Sequence, residues 1–441
     1  MKRVAVIGAG WSGLACALEL SRAGLAVTLF DAAPQAGGRA RAVGVRLGDR
    51  DFMLDNGQHL LIGAYSESLR LLRELGVDIE RALLRLPFEV RFPDGFLLRA
   101  PALPAPLHLA AALLSARGLG WNARGSALAF VLRWRRRRWR VQADGPASAL
   151  FADAPADVVR RLWRPLCLSA LNVELEEASA QMLLNVLRDS LDGGARAADL
   201  LIPRRDLSEL LVAPALRVLQ ARGAELRLRS PVQGLRHADA RWRIDTRGEH
   251  CDADAVVLAL PPGRASDLLA SARRSELDAT VDLLRSITMA PIATVYLRYS
   301  ADLRLPWPAC ALLDDAGAGR YGQWVFDRGQ LDAGNAGVLS AVISAAGAAL
   351  ASDTGTLAAS VAAQLTAELN LPAPLASAVL AEKRATIVPR PALKRPPARL
   401  PAAGLFLAGD AARSDYPSTL EGSVRAGIVA ARAAAADLQA G

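Results

Sequence analysis

The chain has 441 residues, 52% of them hydrophobic and 22% charged, which excludes a disordered polypeptide and allows two or three units or one interleaved pair. Its formal net charge is +9, and all but three of its 53 basic residues (Lys2, Lys383, Lys394) are arginine. The bias fits a GC-rich genome or an anionic partner surface, membrane or nucleic acid.

Val4–Ile7 is a short apolar, β-branched run that reads as a buried parallel strand. Gly8-Ala9-Gly10-Trp11-Ser12-Gly13 follows at once, and a helical pattern then runs to Gly24. Ala26–Phe30 reads as a second strand, ending at Asp31. This βαβ context makes GxGxxG a dinucleotide fingerprint. Gly8 permits the tight turn, Gly10 lets backbone approach a pyrophosphate, and Gly13 allows close helix–strand packing. The helix N-terminus offers N–H groups to the phosphates. Asp31 stands where an acid binds a ribose hydroxyl pair, which argues against a 2′-phosphate.

A second GxGxxG, Gly317–Gly322, precedes Gln323-Trp324-Val325-Phe326-Asp327, which reads as a strand. It is expected to be a hairpin loop, leaving one dinucleotide site. The four cysteines are dispersed with no CxxC, so no metal site or disulfide framework is expected. No run of 18 apolar residues occurs, so no spanning helix is expected. The expected location is cytoplasmic, with peripheral contact to the inner face of the cytoplasmic membrane left open.

After Asp31 and Ala32 the chain continues through Gly37-Gly38-Arg39-Ala40, and later carries Leu54-Asp55-Asn56-Gly57-Gln58-His59. These segments resemble the FAD-dependent amine oxidase and phytoene desaturase superfamily. The resemblance implies FAD rather than NAD. It implies contacts to the cofactor from Gly8, Gly10, Trp11, Ser12, Gly13, Asp31, Ala32, Gly38 and Arg39, and a ring-side segment at Gly57, Gln58 and His59. It also implies a backbone contact to the adenine from Val232. The chain's end, Gly404–Asp410 followed by a helix opening near Thr419, resembles the second flavin motif. There Gly409 and Asp410 would meet the ribityl chain, and Thr419, Leu420 and Glu421 would face the ring.

The fold class expected is α/β: a discontinuous Rossmann-type FAD domain (1–80, 200–265, 395–441) with an interleaved α+β substrate domain (81–199, 266–394). Along the chain, Leu162–Asn172, Glu176–Leu191 and Asp199–Leu211 resemble hydroxysqualene dehydroxylases. Where relatives carry Thr-Pro, this chain has Val173-Glu174, and no catalytic role is assigned there. The family resemblance implies reductive removal of the hydroxyl from hydroxysqualene, a long-chain isoprenoid, giving squalene. It also implies squalene-pathway synthases as candidate partners. Carotenoid desaturation or isomerisation, amine oxidation and a non-catalytic flavin scaffold are the alternatives. His59 is the first candidate proton donor to the departing hydroxyl, with Tyr416 and Glu421 in reserve.

Leu103–Ala116 is a long aliphatic run, open to reading as core helix or as tunnel wall. Arg133–Arg140, with tryptophans at 134 and 139, reads as a membrane-facing surface, a solvated helix face or, least, a nucleic-acid patch. No nucleic-acid module is recognised, so no nucleic-acid partner is expected.

Overall fold

The computed structural model describes residues 1–101, 103, 107–194 and 196–440. Five parallel strands form its dinucleotide-type sheet: β1 (Arg3–Ile7), β2 (Ala26–Phe30), β3 (Glu225–Arg227), β4 (Ala255–Leu258) and β5 (Leu405–Leu407). Their spatial order is β3-β2-β1-β4-β5. Three widely separated stretches of sequence therefore share one sheet. β1 and β4 are almost wholly buried, as expected of parallel strands covered on both faces.

Six helices pack around the sheet and the neighbouring core: α1 (Trp11–Arg22), α2 (Ser66–Glu74), α3 (Leu107–Ser115), α4 (Trp121–Arg136), α5 (Ala180–Asp192) and α6 (Leu420–Ala440). α1 and α6 pack closely on one side of the sheet. A Cβ on Gly427 of α6 would lie 2.2 Å from the Ser12 carbonyl oxygen, so only glycine permits this approach. Their small residues merge with Leu14, Leu20, Val257 and Phe406 in one core.

A second five-stranded sheet is antiparallel, in the order 309–311, 324–327, 338–343, 289–298, 376–387. Gly317–Gly322 lies in the loop between its 309–311 and 324–327 strands, so the hairpin expectation holds. α3, α4 and α5 build a separate core, in which the Phe151 ring stacks on both Phe130 and Trp163.

Glu174, in the stretch left without a catalytic role, is structural. Together with Asp314 it receives the Arg164 guanidinium in two bidentate pairs. Asn172 ends its helix in the left-handed region (φ 58°) and donates to Thr386 Oγ1 at 2.8 Å.

Of the readings open for the arginine run, one in which its tryptophans reach a membrane interface does not fit the structure. α4 ends at Arg136, and two successive positive-φ residues, Arg138 (51°) and Trp139 (57°), reverse the chain. Trp139 is thereby buried, its indole N–H donating to Asp192 (2.6 Å), and Trp134 packs in the same core. Arg135 is paired with Asp192 at 2.9 Å. Of the 103–116 run, residues 104–106 lie outside the described residues; Leu107–Ser115 is helical, with Ala112 and Leu113 buried and Leu107 and Leu114 exposed.

Candidate functional site

The turn between β1 and α1 is shaped by what its glycines exclude. Gly8 has φ +107°, and a Cβ there would sit 2.3 Å from the Ala259 carbonyl oxygen. A Cβ on Gly13 would sit 1.8 Å from the Gly8 carbonyl oxygen. A Cβ on Gly10, by contrast, would meet only Gly38 Cα, at an ordinary contact distance of 3.8 Å. The turn is therefore tight at Gly8 and Gly13 and unstrained at Gly10. Gly10 precedes α1 without any side-chain cap, so the first N–H groups of α1 are left to a ligand. The buried Ser12 hydroxyl has no partner there. These features fit a dinucleotide's pyrophosphate.

Asp31 receives Ala9 N–H (2.7 Å) and Ala33 N–H (2.8 Å) on its two oxygens, so the acid also fixes the glycine loop. Ser230 N–H donates to the Asp31 carbonyl (2.8 Å), bringing the 230–232 segment alongside. Ile7, Phe30, Ala32, Pro231, Val232 and Leu260 line a largely apolar cavity beside this carboxylate. Its shape and chemistry suit an adenine next to its ribose.

The glycine loop is pinned to the Gly37–Arg41 segment by Gly37 N–H to the Ala9 carbonyl (2.8 Å) and the Trp11 indole to the Ala40 carbonyl (3.1 Å). Arg39 and Asp410, each expected along the cofactor, meet each other in an ion pair of 2.7 Å. Arg39 also donates to the Ala385 carbonyl of the second sheet. Gly409 has φ +77° beside Ser12.

Asn56 is held against Arg39 and Arg41 through their carbonyls, which places Gly57, Gln58 and His59 next to the same segment. His59 Nδ1 donates to the Gly57 carbonyl (2.8 Å), since a carbonyl only accepts. Burial pulls the imidazole down to about 4, the Gly57 bond opposing and the Arg39 charge assisting. At neutral pH His59 is thus neutral, with its lone pair on Nε2. In this geometry it is an acceptor rather than the proton donor expected of it.

Thr419 Oγ1 caps α6 by accepting from Gly422 N–H (3.0 Å), as a helix start there requires. Leu420 packs against the core of the parallel sheet. Glu421, a reserve proton donor in the sequence reading, is fully buried with both oxygens committed. They accept from Glu67 N–H, Ser68 N–H, the Ser68 hydroxyl and Arg425. That leaves no atom for a substrate: Glu421 ties α6 to the first turn of α2. Tyr416, the other reserve, directs its hydroxyl at Asp189 of α5, and Arg425 covers its ring at 4.2 Å. Burial, with Asp189 adding, raises the phenol well above its usual range.

A buried polar group behind Gly57 carried no sequence signal. Arg328, 2% exposed, donates to Gln58 Oε1 (3.1 Å), which also accepts from the Ser340 hydroxyl (3.0 Å). Tyr296 donates to the Asp55 carbonyl (2.9 Å), and the Asp55 carboxylate accepts from Leu207 N–H (2.7 Å). Burial pushes the Asp55 carboxyl up to about 7, opposed by the Leu207 bond and the Arg328 charge. An isolated arginine in an unremarkable strand-to-helix junction has no motif by which to be found.

Residues 11–435 match the family model described as flavin containing amine oxidoreductase. The chain belongs to this family. The family makes it a flavin oxidoreductase. It is 32% identical to a hydroxysqualene dehydroxylase from Rhodopseudomonas palustris, over 98% of this chain and 97% of that one. Its likeness to a zeta-carotene desaturase from Zea mays is 26%, over 68% of this chain and 56% of the relative. A solved oxidoreductase from Methanosarcina mazei shares the fold at a TM-score of 0.76 and 17% identity, over 98% of this chain and all of that one.

Proposed function

We propose that the chain is an FAD-dependent hydroxysqualene dehydroxylase, replacing the substrate's hydroxyl by hydrogen to give squalene. The observation that carries this reading is the end-to-end likeness to the Rhodopseudomonas palustris enzyme, against a partial one to the desaturase.

In this reading the α1 N-terminus and Ser12 hold the pyrophosphate, and Asp31 the adenosine ribose. The 230–232 segment backs the adenine, and the Arg39–Asp410 pair lies along the ribityl chain. The Gly57–His59 turn and the start of α6 flank the ring, where the positive end of the α6 dipole favours negative charge. The FAD, when bound in its reduced form, supplies a hydride. One hydride and one proton replace the C–O bond by C–H and release water. Glu421 maintains the α6–α2 junction, and His59, neutral and bonded to Gly57, maintains the ring-side turn.

The test is anaerobic incubation of the reduced protein with hydroxysqualene and analysis of the product. Squalene formed only with reductant supports the reading. Desaturation of a carotenoid precursor, peroxide from amines, or bound flavin with no turnover would each replace it.

A further inference from the structure

The segment 95–143 contains nine arginines and no Asp, Glu or Lys. The fold turns it into α3 and α4, whose inner faces pack in the core through Ala112, Leu113, Ala123, Ala127, Phe130 and Val131. A surface helix ordinarily presents polar residues on its other face. Here the outer face carries large apolar residues as well. Leu107 and Leu114 of α3 are 59% and 48% exposed, and Trp121 and Leu132 of α4 are 75% and 43% exposed. With Leu103, five of the nine exposed large hydrophobic residues among those described fall within these thirty positions. Clustering of this kind marks an interaction surface rather than scatter.

The surroundings of the patch are equally one-sided. Arg117, Arg133, Arg136 and Arg137 are exposed, and among the described residues none has a carboxylate within ion-pair distance. Arg124 lies over the Trp121 ring at 4.6 Å. Exposed leucine and tryptophan rimmed by unpaired arginine complement a layer with an apolar interior and an anionic surface. No described helix is long and apolar enough to cross a membrane, so contact through these helices is in-plane.

We infer that the outer face of α3 and α4 is a docking surface for an anionic lipid bilayer. Leu107, Leu114, Trp121 and Leu132 enter the interfacial zone, and Arg117, Arg133, Arg136 and Arg137 meet headgroups. The tryptophans of the arginine run take no part; the exposed one is at the opposite end of α4. For its purpose the inference rests on the proposed function, since a C30 isoprenoid resides in the bilayer. Its test needs no turnover.

The flavin-loaded protein is sedimented with vesicles of phosphatidylglycerol and phosphatidylcholine, and with vesicles of phosphatidylcholine alone. Binding to the first, weakened by salt, is expected to exceed binding to the second. The L107S/L114S/W121S and R117Q/R133Q/R136Q/R137Q variants should each lose at least about tenfold in binding. Both should keep their flavin content and melting temperature. Wild-type protein that ignores both vesicles, or variants that bind as well as wild type, would overturn the inference. So would a concentration-dependent dimer, or a complex with nucleic acid, that both variants abolish while vesicle binding persists. Vesicle binding without squalene formation would leave the inference standing and remove the proposed reaction.

Discussion

Asp31 shows how one side chain serves both fold and ligand. Its two oxygens already hold Ala9 and Ala33 N–H groups, so replacing it loosens the glycine loop as well as removing a ribose partner. A hydrogen bond to a charged group is worth about 1.5–3 kcal/mol. Asp31→Ala should therefore weaken flavin affinity by roughly ten- to a hundredfold, read by fluorescence titration of the flavin-free protein. Equal affinity would remove Asp31 from the ribose site. At His59 the folded value of about 4 lies below the ordinary 6.5, so the folded state binds fewer protons than the unfolded chain between those values. Stability is consequently lost as pH falls from 6.5 to 4, by at most about 3 kcal/mol. His59→Gln removes this loss. Urea denaturation of flavin-free protein at pH 7 and pH 4 should show the variant gaining on wild type at the lower pH. A gap that does not change with pH would mean the imidazole is not desolvated.

At the scale of elements, the sequence was most legible where one local pattern decides the structure. Val4–Gly24 is a strand, a glycine turn and a helix because alternatives clash with the backbone, and a reader of residues can see that. The α6 start at Thr419 was equally visible, since a hydroxyl before an alanine-rich run is a helix cap. What escaped was every contact made at long range. Glu421 looked like a ring-side acid because its position in a motif says nothing about α2, 353 residues away, which it caps. Trp134 and Trp139 looked interfacial because a run of arginine conceals which face of the helix is buried. Glu421→Ala leaves two N–H groups, the Ser68 hydroxyl and Arg425 without their acceptor. Breaking such a buried charged network costs about 3–5 kcal/mol. Denaturant unfolding should show that loss while turnover per bound flavin stays near wild type. A large fall in turnover with unchanged stability would return Glu421 to the chemistry.

Across the whole molecule, the Asp55–His59 segment is joined to the antiparallel sheet behind the Gly57 turn by buried polar groups. Arg328, at the end of the 324–327 strand, reaches Gln58, and its charge opposes the desolvation of Asp55. The Asp55 carboxyl, raised from 3.8 to about 7, stays protonated in the folded state over a range in which the unfolded chain has ionised. Its burial therefore costs stability progressively as pH rises from 3.8 to 7, and the cost levels off above the folded value. Arg328→Met removes the nearby cation, so the folded value must climb above 7 and the cost must keep growing beyond it. The variant should already be less stable at pH 6.5, because Gln58 and Ser340 lose their partner. The deficit relative to wild type should then widen between pH 7 and pH 9, by about 1.4 kcal/mol for each unit the carboxyl rises. Arg328→Met/Asp55→Asn has no carboxyl to ionise, so its deficit should not change over that range. Denaturation of the three proteins at pH 6.5, 7.5 and 9 decides the matter. A deficit in the single variant that is flat across pH would show that Arg328 holds the Gln58 turn by hydrogen bonding alone, without supporting the buried carboxylate.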